Sequence, residues 1–244
     1  MRGITLIFRR EVGQYFASPI AYLIAFAFLL MPALVFNNDL TVSIGVKPAD
    51  PAVIPTFLSF GMVFFAPLLT MRMLAEETRE GTLELLLTAP VREGDIVIGK
   101  FFSAWFFYSL LLFITLIYQM ILLSIPSTSL DLGHMFAAYI GIWLYGGATI
   151  AVGLMFSSTT ENQIIAAFLS MSTLLIMWRG DLAGDIVSTV ELANFIRKLT
   201  LQGHFASSFA FGLVRVEDAA FFAGIITVML FVTIRIVESH RWRG

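Results

Sequence analysis

Six long apolar segments constrain this chain more than any other feature. They lie near residues 19–36, 53–71, 101–125, 135–156, 164–178 and 219–237. Most approach the roughly 20 residues that an α-helix needs to cross a hydrocarbon core. Lipid offers no partner to a backbone N–H or C=O, so apolar segments of this length read as helices that satisfy their own backbone. The fifth segment is short, and its outer boundary is the least defined. Pro55 and Pro67 fall inside the second, where a kink is expected. Composition agrees, because only 13% of the 244 residues are charged, against about 25% in soluble domains. The expected fold class is an all-α membrane protein with six transmembrane helices, a helix lying in the membrane interface at the N-terminus, and a short amphipathic helix between the second and third spans.

The interfacial unit is residues 1–18. Ile4, Ile7, Phe8, Val12, Tyr15 and Phe16 recur at helical spacing, and Arg9, Arg10, Glu11 and Gln14 take the other side, the pattern of a helix with its basic face among headgroups. It lacks the uninterrupted apolar core of a secretory signal peptide. Residues 19–244 then form one six-span membrane domain without an internal repeat, a low-complexity tract or a soluble domain. Lysine and arginine set the orientation. With the N-terminus inside, the inner segments hold Arg2, Arg9, Arg10, Arg72, Arg79, Arg92, Lys100, Arg235, Arg241 and Arg243. The outer ones hold Lys47, Arg179, Arg197, Lys198 and Arg215, a ratio of ten to five. That bias predicts cytoplasmic N- and C-termini. Residues 37–52 are then an outer loop, 125–133 a short outer one and 157–163 an inner polar turn. The long outer loop, about 179–218, is too apolar to be a solvated linker. Val190, Leu192, Phe195, Ile196 and Leu199 suggest interfacial helices, and 204–214 should dip into the outer leaflet or pack over the bundle.

The longest strongly charged run, EETREGTLELLLTAPVREGDIVIGK at 76–100, lies on the inner side. Leu83, Leu86 and Leu87 fall at i, i+3, i+4 and share one helical face, and Pro90 cannot continue the helix. A short amphipathic helix ending near Thr88 presents a surface to something outside the bilayer. Residues 94–100, GDIVIGK, match seven positions of the phosphate-binding GxxxxGK[ST], but Phe101 stands where magnesium needs Ser or Thr. The plainer reading is a turn at Gly94 and an interfacial anchor at Lys100.

Catalysis finds little support. The chain has no cysteine and three isolated histidines, His134, His204 and His240, so neither a thiolate nor a multi-histidine metal site is expected. No cofactor is expected in this chain, and no nucleic-acid partner. No Asp, Glu, Lys, Arg or His lies deep in a span, which argues against an ion-driven carrier. Asp181, Asp185 and His204 in the outer loop are the only candidates for an intramembrane enzyme. The small residues of the fourth span, Gly141, Gly146, Gly147, Ala148, Ala151 and Gly153, permit close helix packing within a bundle or between two chains. A six-span bundle without its own energy source, carrying a charged helix on one side, points to a partner that supplies energy.

These residues carry a family resemblance. RMLAEETREGTLELLLTAPVREGDIVIGKF (72–101) resembles the segment between spans two and three of ABC-2 type ABC transporter permeases. SSTTENQIIAAF (157–168) and HFASSFAFGLVRVEDAAFF (204–222) are similar to segments of the gliding-motility and copper-maturation branch. Where many relatives of that branch have Arg-Gly, this chain has Phe211-Gly212. The resemblance implies a permease, acting as an exporter and not itself an enzyme, in the cell membrane. It would pair with a second copy or a related permease and with two cytoplasmic ATPase subunits that bind Mg-ATP, and an extracytoplasmic accessory protein is a further expected partner. It assigns ATPase coupling to Glu76, Glu77, Arg79, Glu80, Gly81, Thr82, Leu83, Glu84, Leu86 and Leu87, on a coupling helix over about 76–88. A second cytoplasmic turn is formed by Thr160, Glu161 and Asn162. Two alternatives stay open: a non-transporting subunit that transmits mechanical change across the bilayer, and the intramembrane enzyme.

Overall fold

The structure, a computed structural model, describes residues 2–43, 50–88, 91–124, 131–186, 191 and 199–240. Helix α1 (Arg2–Ala17) stops at Ser18, and α2 (Pro19–Ser43) opens on a proline, whose fixed φ and missing N–H suit a first helical position. Residues 37–43, expected in an outer loop, are the last turns of α2, with Thr41 Oγ1 donating to Asn38 O at 2.8 Å. A helix outlasts its apolar stretch because its backbone bonds do not depend on lipid. In α3 (Val53–Thr70), Pro55 sits in the first turn, where no N–H is needed, and the helix continues through Pro67. Two short helices follow, α4 (Ala75–Arg79) and α5 (Thr82–Thr88).

Helix α6 (Glu93–Leu123) has 31 residues, about 46 Å at 1.5 Å per residue. It therefore overruns the hydrocarbon core, and residues 94–100 are helical throughout. Helix α7 (Leu132–Thr159) is capped by Asp131, whose carboxylate accepts from the N–H of Gly133 at 2.9 Å and of His134 at 3.2 Å. Helix α8 (Gln163–Ile186) contains a non-helical residue, Arg179 (φ −120°, ψ 28°). The break falls one residue beyond the expected end of the fifth span. After α9 (Leu201–Ser207) and a 3₁₀ turn at Phe209–Phe211, α10 (Val216–His240) closes the described chain. Among the described residues there is no strand, and six helices are long and apolar enough to cross a membrane.

Helices α3 and α7 form the centre. Of their apolar stretches, 67% and 72% of residues are buried inside the molecule, against 28%, 22% and 17% for α2, α8 and α10. The outer helices turn Leu23, Phe26, Phe168, Ile176 and Phe231 outward, as lipid-facing helices do. The glycines of α7 are filled from inside the molecule. A Cβ at Gly146 would overlap the ring of Tyr108, one at Gly141 the ring of Phe209, and one at Gly153 the hydroxyl of Thr70. Tyr108 uses that approach to donate to Ile142 O at 2.7 Å. At these positions the choice between internal and interchain packing falls to internal packing.

The segment before α10 packs over the bundle, one of the two placements its apolarity allowed. Phe205 and Phe209 are fully buried, and Gly212 turns with φ +80° against the backbone of His134. The His134 ring closes the contact, its Nε2 lying 2.7 Å from Ala210 O. Val190, Leu192, Phe195 and Ile196, read as parts of interfacial helices, lie outside the described residues. So do Ala89 and Pro90, the residues expected to stop the helix after Thr88.

Candidate functional site

The charged residues collect at one end of the bundle, where α1 lies along α6. Gly99 lets α6 approach the side chain of Ile7 and the carbonyl of Ile4. Phe8 meets Phe106 edge-on with centroids 5.6 Å apart, and Tyr15 stacks on Phe107 at 4.9 Å. Burial, and then the nearby charge of Glu11, pushes the Tyr15 phenol far above its usual range. It stays neutral and donates to Leu69 O at 2.8 Å, fixing α1 to the end of α3.

The polar side of α1 does not face headgroups alone. Glu11 is buried (4% exposed) and Lys100 of α6 even more so (1%). Lys100 Nζ lies 3.0 Å from Glu11 Oε1 and 2.9 Å from Glu77 Oε2 of α4. Arg10 Nη2 lies 2.6 Å from Glu11 Oε1 and 2.6 Å from Glu77 Oε1. Two cations and two anions thus join α1, α4 and α6 in one neutral cluster. Burial works against the charge of Arg10, but its hydrogen bond to Glu11 and the charges of Glu11 and Glu77 hold its pKa above the usual value. Here the structure corrects two expectations. Lys100 is not an anchor reaching for the interface, and Glu11 does not lie among headgroups with its neighbours. An ion out of water needs a counter-ion, and each supplies the other's.

The helix expected over 76–88 is two helices. Gly81 has φ +69°, a left-handed conformation that costs other residues a clash between Cβ and backbone. It ends α4, and Thr82 restarts the chain as α5. Glu76 takes Arg72 in a fork, from Nε and Nη2, each at 2.8 Å, and Glu77 enters the buried cluster. Leu83 is buried in the chain's own core and Leu86 packs partly against it. Leu87 lies on α5, and Arg79, Glu80, Gly81 and Glu84 are exposed. Among the side chains described on α4 and α5, the exposed ones, Arg79 and Glu84, are therefore charged.

The second turn meets this pair through a residue the sequence did not single out. Ser157 Oγ, near the end of α7, accepts from the N–H of Leu74 and of Ala75 at 3.1 Å each, and donates to Met71 O at 3.2 Å. It satisfies donors that the opening of α4 leaves unpaired. Beyond it, Thr160 Oγ1 accepts from Asn162 N at 3.2 Å, and Asn162 Oδ1 accepts from Ile164 N at 2.9 Å as the cap of α8. Glu161 is exposed.

A family model described as ABC-2 family transporter protein matches residues 5–237. The chain belongs to that family. A comparison with curated proteins finds no match. The match covers both the N-terminal helix and the sixth span, so the charged end of this ABC-2 protein lies within the family's own architecture and is not an added part.

At the other end of this ABC-2 protein, the one residue considered for catalysis whose side chain is described, His204, has a structural partner. His204 Nδ1 of α9 lies 2.6 Å from Asp218 Oδ1 at the start of α10, and its ring stacks on Phe221 at 3.8 Å. That pair ties α9 to α10. Asp181 and Asp185 fall on the last turns of α8, and their side chains lie outside the described residues. Among the described residues no cluster of three or more His, Asp or Glu could hold a metal.

Proposed function

We propose that this chain is the membrane permease of an ATP-driven transporter, most simply an exporter, with α4 and α5 docking a separate cytoplasmic ATPase. The observation that carries the reading is the position of α4. Its outer side offers exposed Arg79, with exposed Glu84 beyond it on α5. Its inner side is held by Lys100 of α6 and Arg10 of α1 through Glu77, and by Ser157 of α7 through the backbone. A displacement applied to the outer side therefore reaches three helices through short polar contacts. In this reading a second permease copy completes the translocation path, Mg-ATP binds only the partner, and the charged end faces the cytoplasm. The gliding-motility and copper-maturation branch is the branch its segments resemble.

Charge complementarity governs encounter and register at such a surface, so charge reversal is the direct test. Arg79→Glu combined with Glu84→Lys should reduce recovery of the ATPase with tagged permease, and ATP hydrolysis in the purified complex, by about tenfold. The permease itself should reach the membrane at its normal level, because both residues are exposed. Full recovery of a hydrolysing ATPase with this variant would place the docking surface elsewhere.

A further inference from the structure

Between α1, α2, α3 and the α4–α5 pair lies a cavity of about 630 Å³, within the roughly 300–1,000 Å³ of sites that hold small ligands. Its lining is graded along the spans. Ile20 and Ile24, just after the start of α2, and Leu68, just before the end of α3, form the apolar part. Arg72, Glu76 and Glu80 follow where the chain has left α3, with Arg10 beside them on α1. Ile20 (44% exposed) and Leu68 (40%) leave the apolar part open sideways, toward the hydrocarbon. A site polar at one end and open to hydrocarbon at the other suits an amphiphile held along the membrane normal.

The charges narrow its headgroup. Three cations, Arg10, Arg72 and Lys100, line the cavity with four anions, Glu11, Glu76, Glu77 and Glu80. Such a lining gives an anionic headgroup no net attraction. It offers both signs within one small space. The Nε of Arg10 is buried and has no hydrogen-bond partner, so a donor waits for an acceptor such as a phosphate oxygen. Glu80 is an exposed carboxylate whose charge acts on Arg72. It accepts hydrogen bonds from a primary ammonium, and a quaternary ammonium has none to donate.

We propose that this cavity is a site for a phospholipid with a phosphoethanolamine headgroup, drawn from the leaflet on the α1 side. The phosphate lies at Arg10 and Arg72, the ammonium at Glu80, and an acyl chain leaves between Ile20 and Leu68. The proposal does not rest on ATPase docking. The lipid fills the gap between α1 and α4 beside the ion cluster, where a resident ligand would stabilise the arrangement that holds it.

The absence of native cysteine makes the test direct. Leu68→Cys, labelled with a bimane fluorophore, is placed in nanodiscs whose matrix lipid is unbrominated phosphatidylcholine. Brominated phosphatidylethanolamine, phosphatidylglycerol or phosphatidylcholine is then titrated in. Phosphatidylethanolamine should half-quench the reporter at about fivefold lower mole fraction than the other two. A reporter at Phe113, on the outward face of α6, should respond alike to all three. Glu80→Gln, at an exposed position, should remove the preference over phosphatidylcholine. Ile20→Cys gives a second reporter if Leu68→Cys folds poorly. Equal quenching by the three lipids at both cavity reporters would overturn the proposal. So would a preference for phosphatidylglycerol, or displacement of the lipid by water-soluble glycerophosphoethanolamine.

Discussion

Lys100 shows how much a single residue can hide in a membrane sequence. It is the eighth residue of α6 and stands where an anchoring lysine would stand, so hydropathy and position both place it at the interface. Its partners come from α1 and α4, and nothing local in the sequence reveals that three elements converge there. One signal was present: Glu11 follows Arg9 and Arg10 on a helix that otherwise suits a bilayer surface, and an acid there needs a reason. The energetic consequence is asymmetric. Removing one partner of a buried ion pair strands the other, at about 3–5 kcal/mol, whereas replacing the set with apolar groups is often neutral. Lys100→Met should therefore lower the thermal midpoint of the detergent-solubilised protein strongly. Glu11→Met should do the same, and the double variant should lose much less than the sum. Arg10 is more than a third exposed, so solvent screening reduces its share, and Arg10→Gln should cost about 0–1 kcal/mol. Additive losses for Lys100→Met and Glu11→Met would mean that the two side chains contribute separately.

At the scale of elements, periodicity served well and punctuation served badly. The spacing of Leu83, Leu86 and Leu87 placed a helix, and the first two turn toward the protein. The break between α4 and α5 was not legible, because a lone glycine in a helical pattern is commonly tolerated. Only its φ of +69° shows that this one ends a helix. The same limit explains α2, which runs helically past its apolar stretch, and Arg179, where the chain leaves helical geometry inside α8. A Cβ at Gly81 would meet nothing within 4 Å, so a substitution there is resisted by backbone conformation and not by crowding. Gly81→Ala should cost about 1–2 kcal/mol, and Gly81→Asn less, since Asn visits the left-handed region more readily. Hydrogen exchange of residues 75–88 should quicken in the order Gly, Asn, Ala, while α7 exchanges as before. Equal exchange in Asn and Ala variants would show that the left-handed turn is not what holds the two helices apart.

The whole molecule was the most legible scale, because a bilayer imposes its rules on every span at once. Six apolar segments gave six long helices, and α3 and α7 took the centre. Their residues pack against protein on most sides, while α2, α8 and α10 keep outward apolar faces. What hydropathy does not encode is the direction of the bundle, and for that the asymmetry of Lys and Arg is the available signal. Arg79, Arg92 and Lys100 flank the α4–α5 pair, and Arg10 and Arg72 join them from neighbouring elements. Among the described residues of the opposite end, Arg179 and Arg215 stand more sparsely. Moving a cluster of guanidinium groups through hydrocarbon costs several kcal/mol for each, which in the proposed orientation keeps the cluster on the cytoplasmic side. Single cysteines at Glu84 and at Val216, both exposed and at opposite ends, report this without interference from native thiols. In intact cells a membrane-impermeant maleimide should label Val216→Cys and leave Glu84→Cys untouched until the membrane is permeabilised. Labelling of Glu84→Cys from outside would invert the bundle, put α4 and α5 beyond the reach of a cytoplasmic ATPase, and remove the basis of the proposed coupling.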